Sequence, residues 1–397
     1  MNTSTYDRYR SAVAGEALPL AYLDREALDT NIETTRQRAG ELPIRVASKS
    51  IRCRAVLEYV LEQWGFRGIM CYTGREAVHL ASHGFEDLLV AYPVWHAAEI
   101  EAVCEVIEEG SCVVLTVDCS EHVDRIAGIA TEHGVEVPLC LDVDMSTTHL
   151  GIHFGVRRSG IQTPEAAIAL AQSISDREGV TLSGVMGYEA QIAGLSDDDP
   201  SNDPVTNAVI RRLKRRSVPR LRERRASVVG ALEREGYELA FVNGGGTGSL
   251  ESTRDDATVT ELTVGSGFYA PHQFDHYRGF QYEPAVGYAI EITRQPTDDV
   301  YTCRGGGYAG SGPPGDGTAP IPHLPSGASL LEREGAGEVQ TPIRYDGSID
   351  LSLGDPIFFR HAKAGEPCAH FERLCVVEDG EIAARHPTYR GDGTCFV

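Results

Sequence analysis

The segment Leu42-Pro-Ile-Arg-Val-Ala-Ser-Lys49-Ser-Ile-Arg52 is a short apolar run that ends at a lysine. Its apolar and β-branched residues predict a buried strand over Ile44–Ser48, with Lys49 at the carboxyl end of that strand. Lysine is rare here, since the 36 Lys and Arg residues include three lysines, Lys49, Lys214 and Lys363. Arginine can supply positive charge, but lysine alone offers an amine that readily loses its proton and attacks a carbonyl. Lys49 is therefore a candidate nucleophilic amine; the alternative is a surface charge at a strand end.

Composition places the chain among globular proteins and excludes several kinds of partner. Its 397 residues fit two domains, or one large barrel with an appendage. The net charge of −22 argues against nucleic acid and anionic membranes as partners, and the arginine-rich stretch 211–225 is interpreted as a solvated helix face. No apolar run approaches the ~18 residues of a membrane span, and the N-terminus lacks a signal core, so we expect a cytoplasmic protein. The ten cysteines include no CxxC pair and are expected to be reduced.

Short apolar runs alternate with amphipathic helical segments from about residue 42 to residue 270. Helices are predicted between the runs, several of them ending at a glycine, and the long one over 203–236 is expected to be interrupted at Pro219. Eight repeated strand–helix units predict a (β/α)8 barrel of the TIM type. The eight predicted strands are Ile44–Ser48, Gly68–Tyr72, Leu88–Tyr92, Cys112–Val117, Val137–Val143, Leu182–Tyr188, Leu239–Asn243 and Glu261–Val264.

The sequence pattern changes after about residue 280, where glycine and proline residues separate short strand-like runs. This pattern predicts a mostly β domain. We therefore expect a barrel with an N-terminal extension over residues 1–280 and a β domain over residues 281–397. The strands predicted for the second domain are Tyr288–Arg294, Asp299–Arg304, Pro356–Arg360, Leu374–Val377 and Glu381–Arg385.

Two glycine-rich segments follow the seventh and eighth predicted barrel strands. They are Asn243-Gly-Gly-Gly-Thr-Gly-Ser249 and Gly265-Ser-Gly-Phe-Tyr269. Loops at these positions of a barrel commonly bind phosphate through backbone N–H groups. A lysine amine after the first strand and a phosphate site after the last two predict a ligand that is both an aldehyde and a phosphate ester, which points to pyridoxal 5′-phosphate (PLP).

The chain resembles the fold-type III PLP enzymes in four places: Pro19–Asn31, the Lys49 strand, the Gly244 loop and the terminal β domain. It is most similar to the D-threonine aldolase and D-serine dehydratase branch, which is related to alanine racemase. The resemblance implies that Lys49 holds PLP as a Schiff base, that Arg157 or Arg158 approaches the phenolic oxygen, and that Tyr188 lies by the pyridine ring. It also implies a set of residues near the phosphate, namely Gly245, Gly246, Thr247, Gly267 and Tyr269.

The chain departs from this branch at the metal site. The branch places a divalent metal on a His-x-Cys or His-x-Asp pair in the β domain, where this chain has His361-Ala-Lys363. A protonated lysine repels a divalent cation, so we favour a site without a metal and assign His361 and Lys363 to the substrate, with a divalent metal as the alternative. Cys368 and His370 lie nearby and could supply metal ligands instead, although their spacing differs from that of the branch.

Other candidate side chains have less specific signals. Gly306-Gly-Tyr308-Ala-Gly-Ser resembles the segment of alanine racemase whose tyrosine is an acid/base contributed across a dimer interface, although the aspartate that follows there is missing; Tyr308 is either that acid/base or a packed tyrosine. His149 and His153 have the i, i+4 spacing of a helical zinc pair, but they fall in a glycine-containing loop. His96, His323 and His361 are alternative bases for a substrate hydroxyl.

These observations predict a PLP-dependent lyase that acts on small, β-hydroxylated D-amino acids, by aldol cleavage or by dehydration with deamination, as a homodimer. The first alternative is an amino-acid racemase that uses Lys49 and Tyr308 as opposed bases. An alternative from another class is a non-catalytic PLP-binding protein, but such proteins usually lack a second domain like residues 281–397.

Overall fold

The computed structural model describes residues 3–149, 151–312, 315 and 317–397. The chain forms two compact units. The barrel unit comprises Thr35–Ser48, Tyr59–Gly265 and Phe396–Val397, and the β unit comprises Met1–Thr34, Lys49–Glu58 and Ser266–Cys395. This division differs from a single boundary at residue 280, because the N-terminal segment and the turn that contains Lys49 belong to the β unit.

The barrel is built from eight strands and the helices between them. The strands are β2 (Ile44–Ala47), β3 (Phe66–Cys71), β4 (Leu88–Val90), β5 (Val113–Val117), β6 (Val137–Asp142), β9 (Val180–Gly187), β10 (Phe241–Gly244) and β11 (Glu261–Val264). The helices are α2 (Arg25–Ala39), α3 (Arg54–Leu61), α4 (Gly74–Ala81), α5 (Ala97–Glu108), α6 (Ser120–His133), α7 (Pro164–Ser175), α8 (Ala190–Ala193), α9 (Pro204–Arg234) and α10 (Leu250–Arg254). A two-stranded ribbon, β7 (Thr147–His149) and β8 (Ile152–Phe154), follows β6. The strands close in the order β10-β11-β2-β3-β4-β5-β6-β9 with parallel pairing throughout, so the predicted (β/α)8 barrel is confirmed.

Apolar side chains fill the barrel interior, as expected for strands that are buried on both faces. They form one buried cluster of Leu89, Ala91, Val114, Cys140, Met186 and Phe241. Gly184 makes room for the largest member, because a Cβ atom at Gly184 would lie 2.6 Å from the Phe241 ring. The glycine is therefore required by packing in the middle of β9.

Substitution of Gly184 by alanine is expected to destabilise the barrel by about 1–3 kcal/mol, because the Phe241 ring cannot move within a filled core. Gly230 provides the matched control: it lies within α9, a Cβ atom there would have no neighbour within 4 Å, and Gly230→Ala should stabilise by up to about 1 kcal/mol. Chemical denaturation measures both. A Gly184→Ala variant as stable as the wild type would contradict the assigned packing.

Helix α9 runs without interruption through Pro219, so the expected break there is wrong. Proline in a helix interior costs about 3 kcal/mol relative to alanine. Buried residues on both sides of the proline offset this cost, since Lys214 and Ser217 precede it and Leu221 and Arg225 follow it on the packed face. Tertiary burial of one continuous face therefore overrides the local preference.

The β unit contains a nine-stranded sheet. Its elements are α1 (Thr3–Ala12), β1 (Leu20–Asp24), α11 (Ser266–Tyr269), β12 (Val286–Thr297), β13 (Val300–Arg304), β14 (Ile321–Leu324), β15 (Ser329–Leu330), β16 (Gln340–Arg344), β17 (Pro356–Arg360), α12 (Glu366–His370), β18 (Arg373–Glu378) and β19 (Glu381–Pro387). The main path is β15-β16-β13-β12-β1-β18-β19, and β17 joins β12 and β14. The five strands predicted in this region are present. The N-terminal β1 lies in the middle of the sheet, antiparallel to β12 and parallel to β18.

Among the residues described, no helix combines the length and the hydropathy that crossing a membrane requires.

Candidate active site

Lys49 lies in a short 3-10 turn, Ser48–Ser50, directly after β2. Its side chain is exposed, whereas Ser48 and Ser50 on either side are buried. Lys49 is therefore an exposed residue between two buried neighbours in the turn. This is the position that the sequence predicts for a nucleophilic amine.

Contacts within the β unit hold the backbone of the Lys49 turn and of the residues that follow it. The Arg52 side chain donates from Nε to the Lys49 carbonyl oxygen at 2.9 Å, and Arg52 itself has a left-handed φ of 50°. Gly365 packs on the same carbonyl, since a Cβ atom there would lie 2.2 Å from the Lys49 oxygen, and its φ of +85° also favours glycine. The Tyr269 hydroxyl donates to the Ile51 carbonyl at 3.1 Å.

The resemblance implies that Tyr269 lies near the phosphate; in the structure its ring is fully buried and its hydroxyl donates to the Ile51 carbonyl, two residues after Lys49. The structure therefore gives it a direct role in holding the Lys49 turn. Gly267 precedes it in α11, and a Cβ atom at Gly267 would lie 3.0 Å from the Tyr282 ring. Glycine is needed there for packing against that ring.

In the barrel unit, a glycine turn follows β10. Gly245 has a φ of +94°, and a Cβ atom at Gly246 would lie 2.7 Å from Ala193 and 3.2 Å from Tyr188. The Ser249 N–H closes the turn by donating to the Gly246 carbonyl at 3.0 Å. The turn therefore presents backbone where a side chain would not fit, as anion-binding turns do.

Not every N–H of this turn is available to a ligand. The Gly245 N–H donates to the buried Glu189 carboxylate at 3.1 Å. Glu189 also accepts from the Thr253 hydroxyl. The N–H of Gly245 is therefore already bonded within the protein, whereas the phosphate contacts of Gly246 and Thr247 stay predictions.

Arg157 and Arg158, the two candidates for the phenolic oxygen of PLP, differ in their exposure and contacts. Arg157 is exposed, whereas the Arg158 side chain donates to Asp142 at 2.8 Å and to the Ala91 carbonyl at 2.9 Å. Its guanidinium lies 5.8 Å from the centre of the Tyr188 ring. Arg158, rather than Arg157, is thus the arginine beside Tyr188.

Burial shifts the pKa values of Asp142 and Tyr188, the two residues that contact Arg158. Desolvation raises the pKa of Asp142 to about 6, although its Arg158 neighbour opposes the rise. Desolvation likewise raises the pKa of the Tyr188 phenol, so Tyr188 stays neutral. The neutral ring of Tyr188 can therefore offer an apolar surface to a flat ligand, with the positive charge of Arg158 5.8 Å from the ring centre.

His361 is fully enclosed in the β unit. Its Nδ1–H donates to the Val286 carbonyl at 3.1 Å, which leaves Nε2 as the lone-pair nitrogen. That Nε2 is buried with no hydrogen-bond partner among the described residues. Burial lowers the pKa of His361 to about 3, so the imidazole is neutral and can accept a hydrogen bond.

The buried histidines predict acid lability. Burial lowers the pKa of His361 to about 3 and that of His323 to about 4, against about 6.5 for an unfolded histidine. The unfolded state therefore binds more protons, so stability that is full above pH 6.5 is lost as the pH falls towards 3–4. His361→Gln should flatten this decline in urea denaturation curves, whereas His96→Gln, at an exposed histidine, should not. Equal pH profiles for His361→Gln and the wild type would contradict the prediction.

Lys363 and Glu366 follow β17 in the β unit. The Lys363 amine packs against Gly312, because a Cβ atom added to that glycine would lie 2.9 Å from Lys363 Nζ. The Lys363 N–H donates to Glu366 Oε2 at 2.9 Å, and Glu366 Oε1 is buried with no hydrogen-bond partner among the described residues. Burial raises the pKa of Glu366 to about 7. A carboxyl group that titrates near neutral pH is a candidate acid/base, and no local sequence pattern pointed to it.

Tyr308 belongs to an aromatic cluster. Its ring stacks on His370 at 4.8 Å and makes edge contacts with Tyr288 at 4.9 Å and Phe371 at 5.1 Å. Burial raises the pKa of its phenol above the ordinary value. These contacts fit a packed tyrosine, one of the two interpretations that the sequence left open.

His149 and His153 do not form a zinc pair. They lie in the ribbon, where His149 is opposite Ile152 and His153 is opposite Thr148, so the two side chains point to opposite faces. Among the residues described, a single group brings three metal-ligating side chains within 4.8 Å of one another, Asp118, Cys119 and His122. Asp118 Oδ1 lies 3.0 Å from His122 Nδ1 at the start of α6, so the two side chains already contact each other within this cluster.

Comparisons with known proteins agree with this architecture. A 3-hydroxy-D-aspartate aldolase from Paracoccus denitrificans is 26% identical over 62% of this chain, and the match spans 59% of the relative's length. The chain thus matches less than two thirds of that relative. The solved D-threonine aldolase from Filomicrobium marinum superposes with a TM-score of 0.79 at 17% identity, covering 94% of this chain and 95% of its own. The D-threo-3-hydroxyaspartate dehydratase from Delftia sp. HT23 gives 0.76 at 18% identity, covering 95% and 98%.

The two superpositions show the same fold over nearly the whole chain, although their sequences have diverged widely. The family model described as alanine racemase, N-terminal domain, matches residues 23–272, which include the complete barrel and the Lys49 turn. That match covers more than half of the chain. The protein therefore belongs to the alanine racemase N-terminal domain family of fold-type III PLP enzymes.

Proposed function

We propose that this protein is a PLP-dependent lyase that acts on small D-amino acids with a β-hydroxyl group, by aldol cleavage or by dehydration. The observation that carries the proposal is the position of Lys49, an exposed residue directly after β2, in a chain of this family. The names of its relatives, two aldolases and a dehydratase, support this class of substrate.

The residues of each unit, taken separately, have features that suit PLP. In the β unit, Lys49 is an exposed residue on a turn whose backbone is contacted by Arg52 and Gly365. The turn after β10 has no space for a side chain at Gly246, which suits backbone binding of a phosphate. Tyr188 offers a ring face beside the Arg158 guanidinium, which suits a flat pyridine ring with a phenolic oxygen.

When bound, PLP withdraws electrons from the substrate's Cα and so weakens a bond to that carbon. In our proposal Lys49 Nζ would hold the cofactor through its aldehyde, and the same amine would move a proton at Cα or on the product. Gly246 and Thr247 would hold the phosphate. Arg158 would supply positive charge for the phenolic oxygen, and Tyr188 would pack on the ring.

The β-hydroxyl group requires a hydrogen-bond acceptor and a charged neighbour. We assign the acceptor to His361 Nε2, which is buried and has no hydrogen-bond partner among the described residues. We assign the charge to Lys363, which would attract the substrate carboxylate or polarise the hydroxyl group. Because the pKa of His361 is low, its imidazole is a weak base; Glu366, whose pKa is raised to about 7, is better matched to move a proton at neutral pH.

The test is product analysis with PLP and a panel of D- and L-amino acids. A small aldehyde and glycine from a D-β-hydroxy amino acid indicate aldol cleavage, and a keto acid with ammonia indicates dehydration. Interconversion of D- and L-alanine without bond cleavage would favour the racemase alternative with Lys49 and Tyr308. Bound PLP without turnover of any substrate in the panel would favour a non-catalytic PLP-binding protein.

We also propose that the protein acts as a homodimer, since the resemblance implies an active site completed by a second subunit. Large apolar side chains exposed on the barrel unit are compatible with an interface, among them Tyr92, Trp95 and Ile152. Light scattering of the full chain should give about twice the 43.0 kDa mass of one chain. A monomer with full activity would contradict the prediction.

A further inference from the structure

A buried cluster of three charged side chains lies behind the turn that follows β10. Its members are Glu189, Arg225 and Asp256, none of which is more than 3% exposed; we call it the Arg225 cluster. Arg225 comes from the packed face of α9, Glu189 follows β9, and Asp256 follows α10. No sequence pattern indicated this cluster, because its members are up to 67 residues apart in a chain with many charged residues.

Arg225 lies between the two carboxylates. Its Nη1 donates to Asp256 and its Nη2 lies 3.5 Å from Glu189 Oε1. Nη2 also donates to the Gly187 carbonyl at 3.0 Å, at the end of β9. A Cβ atom at Gly244 would lie 3.1 Å from this nitrogen, so the guanidinium packs directly against the backbone that enters the turn.

Glu189 connects the cluster to the turn itself. Its Oε2 accepts the Gly245 N–H at 3.1 Å, and its Oε1 accepts the Thr253 hydroxyl. Gly245 has the left-handed φ of +94° that starts the turn. The Glu189 carboxylate therefore accepts a hydrogen bond from Gly245, the first residue of the turn, while Gly245 has its left-handed conformation. The backbone direction of the residues that follow depends on that conformation.

A carboxylate bonded to the turn would repel a phosphate group unless a positive charge compensates it. Arg225 is the charge in contact with both carboxylates of the cluster. The three charges sum to −1, and removing Arg225 would make the sum −2 beside the turn. Low exposure means that water does little to screen this change.

We propose that the Arg225 cluster positions the phosphate-binding turn: Glu189 fixes the conformation at Gly245, and Arg225 neutralises Glu189 and Asp256 so that a phosphate dianion can bind next to them. This inference rests on the proposed function, in that the turn binds the phosphate of PLP. Glu189, Arg225 and Asp256 act through the turn and are positioning residues.

The test compares PLP with pyridoxal, which has the same aldehyde and ring but no phosphate. The affinity of the full-length chain, freed of cofactor, is measured for both ligands in Arg225→Met and in the double variant Arg225→Met/Glu189→Gln. Arg222→Met is the matched control on the same helix, where Arg222 donates to the Ser252 carbonyl at 2.9 Å. Thermal unfolding reports on the stability of each variant separately.

Arg225→Met should weaken PLP binding by about tenfold or more, the effect of losing one charged contact, and leave pyridoxal binding unchanged. The double variant restores the net charge of −1 and should regain part of the PLP affinity. Arg222→Met should bind both ligands as the wild type does. Equal losses for PLP and pyridoxal, or no loss for either, would overturn the proposal.

Arg225→Gln keeps the experiment decisive if Arg225→Met does not fold, because it also removes the positive charge but keeps a polar side chain among the two carboxylates. A loss of affinity for PLP alone in Arg225→Gln supports the proposal, and equal losses for both ligands reject it. Failure of the proposed function gives a different result, in which borohydride reduction of wild type with PLP leaves no label on Lys49. The cluster proposal fails when wild type and variants bind PLP equally well.

Discussion

Lys49→Ala should abolish turnover and the covalent attachment of PLP. The amine is the single group assigned to bond the cofactor aldehyde and also the group assigned to move the proton, so its removal affects both steps. Loss of an essential covalent residue lowers kcat by roughly 10³- to 10⁶-fold. The measurement is steady-state turnover on the substrate identified by product analysis, together with the visible absorbance of bound PLP.

Two lysine variants control for charge and for chemical labelling. Lys49→Arg keeps the positive charge but cannot form the bond, and it should be as inactive as Lys49→Ala. Lys214→Arg should retain activity, because Lys214 is buried in α9 beside Asp197 at 3.4 Å and has no assigned role in the reaction. Borohydride reduction followed by peptide mapping should place the pyridoxyl group on Lys49. A label on Lys214 or Lys363 would refute the assignment.

Lys363→Ala is expected to lower kcat while leaving the spectrum of bound PLP intact. In our proposal the Lys363 ammonium supplies the charge that enzymes with a His-x-Cys or His-x-Asp pair obtain from a metal. Losing one well-placed charged donor costs about 2–4 kcal/mol in the transition state, which corresponds to roughly 30- to 1,000-fold in kcat. Wild-type activity should also survive exhaustive chelation.

The converse substitution provides a sharper test of the same idea. Lys363→Asp restores a His-x-Asp pair with His361, whose Nε2 carries a buried lone pair. This variant should gain activity when manganese or zinc is added, which the wild type should not. Wild-type activity that a chelator abolishes and a metal restores, together with a fully active Lys363→Ala, would show that Lys363 is a surface charge.

Local sequence patterns were sufficient to predict the barrel. A parallel strand that is buried on both faces is a short apolar run, and a helix end is often marked by a capping residue or a glycine. The eight strands and the helices between them could therefore be identified without any tertiary information. The scarcity of lysine singled out Lys49, because a residue type that is rare elsewhere carries information where it occurs. The glycine turn after β10 was recognisable for a similar reason, since backbone binding of an anion requires residues without side chains.

Only the tertiary structure decided the features that depend on contacts between residues far apart in the sequence. Arg157 and Arg158 are neighbours in sequence, and burial against Tyr188 and Asp142 distinguishes them. The hydroxyl of Tyr269 is bonded to Ile51, more than 200 residues earlier, and β1 pairs with β12 and β18 from the far end of the chain. Helix α9 passes through Pro219 because burial of its long face outweighs a local cost. Sequence patterns report the solvent exposure of each residue, but contacts between distant residues arise only when the chain has folded.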